Sequence, residues 1–142
     1  TLLSALSDEQ RMAAKLEGTY RDIIAGPQAD NAIPDSFEGL SVAALDENII
    51  ALLVAAIETY VGDLTEVESA AYMQKYTTEL PDTYLGHSGT PQLSAEDDYV
   101  RVHGPSLWIE FSLQSNKSTG KVGNHPHSVW RDLNDDYGGQ KK

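Results

Sequence analysis

The stretch YVRVHGPSLWIEFSLQ, Tyr99 to Gln114, alternates apolar and polar residues on both sides of Gly104-Pro105. A repeat of two is that of a pleated strand, and a Gly-Pro pair interrupts it, so the stretch predicts two antiparallel strands joined by a turn. Val100 and Val102 then share one face with Leu107, Ile109 and Phe111, while Arg101, His103, Trp108 and Glu110 occupy the other. The first face needs an apolar cover. The second carries charge and imidazole.

The cover is found upstream, where the hydrophobic period is helical. In SDEQRMAAKLEGTYRDIIAG, Ser7 and Gln10 form a capping-box pattern, and Met12, Leu16, Tyr20 and Ile23 recur at helical spacing until Gly26-Pro27 stops them. Asp46 is an N-cap for LDENIIALLVAAIETYVGDL, and Thr65 with Glu68 caps TEVESAAYMQKYTTEL. After Pro81 the pattern turns extended: TYLGH, YVRVH, SLWIEFSLQ and finally HPHSVWR, whose Pro126 places it at a sheet edge. The expectation is one α+β domain over 1–142, with helices in 1–80 packed on one face of a small, mostly antiparallel sheet built from 81–142.

Ten basic against 22 acidic residues give a formal net charge of −12, which repels phosphate backbones and anionic headgroups, so nucleic acid and membrane surfaces are disfavoured as partners. Such an excess suits a solvated surface in a salty, extracellular or periplasmic setting. The absence of cysteine removes disulfides, thiolate nucleophiles and Cys-type zinc sites. The longest apolar run, Ile49 to Ile57, is too short for a membrane span. The chain opens at Thr1, which fits a cleavage product and leaves a threonine nucleophile conceivable.

The polar face concentrates the chemistry. In NHPHSVWRD, His125, His127 and Arg131 fall on one side of an extended segment, and Glu110 with Arg101 and His103 joins them if the strands are neighbours. Two imidazoles at i and i+2 can chelate one ion, and His103 or Glu110 would complete a three-ligand site for zinc, copper or iron. Glu110 is then a candidate ligand or general base and Arg131 a group to orient an anion; a structural ion pair between them explains the same residues. His87 reads as a lone loop histidine. Asp132, Asp135 and Asp136 lack EF-hand spacing and read as a solvated turn. Asn116-Lys117-Ser118 matches a glycosylation sequon.

YVRVHGPSLWIEF followed by NHPHSVWRDLNDDYGG resembles the closing portion of an uncharacterised family, domain of unknown function 3500. The shared positions run from Tyr99, Gly104, Pro105, Ile109 and Glu110 to His125, His127, Ser128, Val129, Trp130, Arg131, Asp132, Tyr137 and Gly138, and LSDEQRMAA is similar to an upstream helix of the family. The resemblance implies a preceding half with its own histidine-bearing strand, so the chain is expected to be the C-terminal part of a longer or cleaved precursor.

Two functions follow as expectations. One is a secreted metal-dependent enzyme, hydrolytic or oxygen-using, with His125, His127 and His103 holding the ion and Glu110 and Arg131 as catalytic groups on an open sheet face. The other is a non-catalytic extracellular assembly module whose histidine face meets another protein chain or the missing N-terminal half.

Overall fold

The computed structural model describes residues 1–29, 32–116 and 121–135. Among these residues four α-helices, α1 (Leu2–Ala5), α2 (Asp8–Ala14), α3 (Glu47–Val61) and α4 (Glu66–Glu79), accompany an antiparallel sheet of five strands. The strands are β1 (Leu40–Ser41), β2 (Tyr84–Ser88), β3 (Tyr99–His103), β4 (Leu107–Asn116) and β5 (Lys121–Asp132), lying in chain order. The α+β arrangement expected from the change of period at Pro81 is the one observed.

Caps set the helix starts. Ser7 and Gln10 form the full reciprocal box, the Asp46 carboxylate accepts from the N–H groups of Asn48 and Ile49, and Thr65 accepts from Glu68. Helix α3 buries the stripe Ile49, Leu53, Ile57 and Val61 and leaves Leu52 exposed on its outer side. These side chains meet Leu85, Val102, Leu107 and Ile109 of the sheet, together with Leu3, Leu6 and Tyr76, in one apolar core. At about 1.5–3 kcal/mol per fully buried aliphatic side chain, this interlayer contact is the main source of stability. No helix among the described residues is long and apolar enough to cross a membrane.

Helix α2 departs from expectation. It ends at Ala14, not at Gly26, because Lys15 turns extended and the Leu16 N–H bonds to the His87 carbonyl on β2. From there residues 15–29 and 32–39 form an irregular connection to β1. Met12, assigned to the buried stripe by its spacing, is 77% exposed, while Leu16 is buried against Gly86 of β2, where any Cβ would collide with it. Burial against the sheet overrides helical propensity in this segment. His87 likewise lies in β2 rather than in a loop, 4% exposed, with Nε2 on the Arg11 carbonyl.

Candidate functional site

The strand register tests the alternation directly. Tyr84, His103, Trp108 and Arg131 are aligned across β2 to β5, followed by the row Gly86, Arg101, Glu110, Val129 and the row Ser88, Tyr99, Ser112, His127; His125 pairs with Gln114. Residues aligned across a sheet share a face, so Arg101, His103, Trp108, Glu110, His125, His127 and Arg131 all lie on the side away from the helices. That part of the sequence reading is what the backbone delivers.

Access is the surprise, because the face expected to be open is covered by the connection, residues 15–29 and 32–39. Tyr20 stacks on Tyr99 with ring centroids 4.4 Å apart, and Phe37 lies against Tyr84 and His103 at 5.4 and 4.5 Å. Glu38 pairs with Arg101, whose guanidinium lies between the rings of Tyr20 and Trp108. Arg101, His103, Trp108 and Glu110 are buried as a result, and Arg131 is buried as well.

Glu110 is the centre of this attachment. Its Oε1 accepts from the Ile24 N–H at 2.8 Å and the Tyr99 hydroxyl at 2.6 Å, and its Oε2 accepts from the Ala25 N–H at 2.9 Å and the Trp108 indole N–H at 2.8 Å. A carboxylate has about four lone-pair sites, and all four are engaged. Burial and the neighbouring Glu110 charge together push the Tyr99 phenol far above its ordinary value. In this arrangement Glu110 fastens the connection to the sheet and has no lone pair left for a substrate proton.

His103 stands between Phe37 and Trp108, 4% exposed, with no partner for Nδ1. Burial, then the positive charge of Arg101, lowers its pKa to about 4, so the ring is neutral at physiological pH. His127 lies four register positions along and two strands over, which at ~3.3 Å per residue and ~4.8 Å per strand puts the two roughly 16 Å apart. One ion cannot bind both. Arg131 is likewise four residues along β5 from His127 and aligned with Trp108.

His125 and His127 do come together, with ring centroids 4.7 Å apart at the outer margin of the covered face. His125 is exposed and His127 half-exposed. The His127 Nδ1 is 2.7 Å from the Asp22 carboxylate. Partial burial of Asp22 opposes its ionisation, but hydrogen bonds from His127, the Ile23 backbone and Gln114 outweigh it and hold the carboxyl below the ordinary range. The sequence reading missed Asp22, because it placed that residue within a helix. Among the described residues no group of three or more His, Asp or Glu side chains could hold a metal ion, so the set His125, His127 and His103 does not fit one centre.

The remaining expectations resolve locally. Asp132 is buried, not solvated: it accepts from Lys75, from the Tyr76 hydroxyl, and from the N–H groups of Asn134 and Asp135. Asp136, Tyr137, Gly138 and the Lys117-Ser118 part of the sequon lie outside the described residues. The Thr1 hydroxyl caps α1 and donates to the Pro91 carbonyl at 3.0 Å.

Compared with known proteins, the chain matches no curated protein and no solved structure. A family match covers residues 1–139, and the family's description is a protein of unknown function, DUF3500. With the strand that carries HPHSVWRD and the helices upstream both inside that match, the chain belongs to the DUF3500 family.

Proposed function

We propose that this domain is a non-catalytic assembly module of an extracellular or periplasmic protein, and that the β5 edge with His125 and His127 is the surface it offers to another protein chain or to a preceding half of its own precursor. The observation that carries this reading is unequal access along one sheet face. Arg101, His103, Trp108 and Glu110 are buried beneath the chain's own connection and Arg131 is buried beside them, while on the same face His125 of the edge strand is exposed and His127 half-exposed. β5 stands last in the strand order, so its outer backbone groups have no neighbouring strand among the described residues. Such an edge favours recognition by another chain, and Pro126 with its flanking histidines restricts which chain can pair.

A second reading rests on the Asp22–His127 contact. A carboxylate on one imidazole nitrogen orients the other as a ligand, as in many metal centres, and His125 beside it supplies a second donor. This chain would then contribute two ligands of a zinc, copper or iron site that another chain completes, and the metal-dependent activity would belong to the assembly. Native purification followed by metal quantification and intact-mass analysis separates the two. A stoichiometric partner without metal, lost in His125→Ala/His127→Ala at unchanged melting temperature, supports the assembly module. One equivalent of metal lost in His127→Ala supports the shared centre. A monomer with neither, indifferent to both substitutions, overturns both.

A further inference from the structure

On the opposite side of the sheet, between the helix layer and β2 to β4, lies a cavity of about 440 Å³. Its floor is Leu85, Val102 and Ile109, all buried. Leu3 and Ala56 wall it from α1 and α3, and Phe111 stands partly buried at its mouth. Because the walls come from two helices and a sheet, the space is a concavity with a rigid base rather than one bare face. Its volume is that of sites for single small molecules.

The chemistry of the lining defines what fits. In a chain with 22 acidic residues, no Asp, Glu or Lys among the described residues lines this space. Arg101 enters the lining only between Val100 and Val102, since its side chain is on the other face, paired with Glu38. Polar atoms come from Thr1, Thr59, Gln92 and Tyr60. The Tyr60 hydroxyl is already engaged with Ser128 at 2.7 Å, and the Thr59 hydroxyl donates to the Ala56 carbonyl at 2.7 Å. A charged ligand would lose its hydration and meet no charged side chain on this face, whereas an apolar one would cover surface now left to water.

We infer that this cavity is a binding site for one uncharged, predominantly aliphatic or aromatic small molecule. The site is independent of the histidine edge, which lies on the other face of the sheet. The test is titration of the chain with N-phenyl-1-naphthylamine, a neutral probe whose fluorescence rises in apolar surroundings. Saturable one-to-one binding is expected. Ala56→Phe, which fills the cavity from α3, should weaken it at least tenfold, and Glu58→Gln, exposed on the opposite side of the same helix, should leave it unchanged. Competition supplies a readout that needs no variant: decanol should displace the probe at concentrations at least tenfold below those required of decanoate at neutral pH. Non-saturating binding, equal affinity in a folded Ala56→Phe protein, or equal competition by alcohol and carboxylate would overturn the inference.

Discussion

Replacing Glu110 with glutamine preserves shape and removes an acceptor, which makes Glu110→Gln a direct probe of how the polar face is closed. Each carboxylate oxygen accepts two hydrogen bonds, so the new amide NH2 must face two donors wherever it is placed. On the Oε2 side the donors are the Ala25 N–H and the Trp108 indole, and neither can become an acceptor. On the Oε1 side the Tyr99 hydroxyl can rotate to accept, and only the Ile24 N–H is stranded; the side chain will choose this orientation. A stranded buried donor costs about 1–3 kcal/mol, and the surviving bonds lose the advantage of a charged acceptor, about 1 kcal/mol each. The sum is roughly 3–5 kcal/mol, a large fraction of the ~5–15 kcal/mol typical of a domain. Urea unfolding followed by tryptophan fluorescence should show the midpoint falling with the slope unchanged, and the melting temperature should drop by roughly 10 °C. A loss below about 1 kcal/mol would refute this account and restore Glu110 as a group accessible to solvent or substrate.

Three further outcomes follow from the same geometry. His103 has its folded-state pKa lowered to about 4, so unfolded chains take up a proton that the folded protein refuses. Its contribution is complete above about pH 6.5 and is lost as the pH falls from there toward 4, by about 3 kcal/mol; His103→Phe should flatten stability against pH in that window, and an unchanged profile would exclude the assignment. Asp98 is fully buried and accepts from the N–H groups of Thr90, Ser94 and Ala95 and from the Thr90 hydroxyl. Burial opposes its charge, but these bonds prevail and lower its pKa, so its contribution is present above about pH 3.9 and lost as the pH falls through the lowered value. Asp98→Asn, measured by denaturant titration at pH 7, should cost about 3 kcal/mol. Gly39 joins the connection to β1 at φ +105°, and a Cβ there would run into the Leu85 carbonyl. Gly39→Ala should therefore destabilise by more than about 2 kcal/mol in thermal unfolding, where an exposed Gly→Ala change would be neutral or favourable.

The hairpin was legible because alternation is a local property: the rows through Trp108 and Glu110 follow from period two and one Gly-Pro turn. The helix caps at Ser7, Asp46 and Thr65 were legible for the same reason. The extent of α2 was not, since Leu16 and Tyr20 sit at spacings that suit a helix face as well as a sheet contact, and only tertiary burial decides between them. With that segment read as helix, nothing in the sequence could place Tyr20 on Tyr99 or Asp22 on His127. The candidate residues do share a side, as alternation requires, and the inner part of that side is covered. Buried strands and buried polar residues look alike in a sequence until the segment that covers them is identified. The separation of His103 from His127 is likewise not legible, because alternation fixes the side on which a residue lies and leaves its position along the strand to the register.

The bonds from Ile24 and Ala25 to Glu110 join residues 86 and 85 positions apart. During synthesis the early segment emerges with nothing to rest on. At about 5–20 residues per second, its anchor follows only after several seconds, so this part of the chain must wait, solvated or held by a chaperone, for the last third to arrive. A chain interrupted before β4 would lack the Glu110 carboxylate, so the two bonds from Ile24 and Ala25 report on whether that strand was ever made.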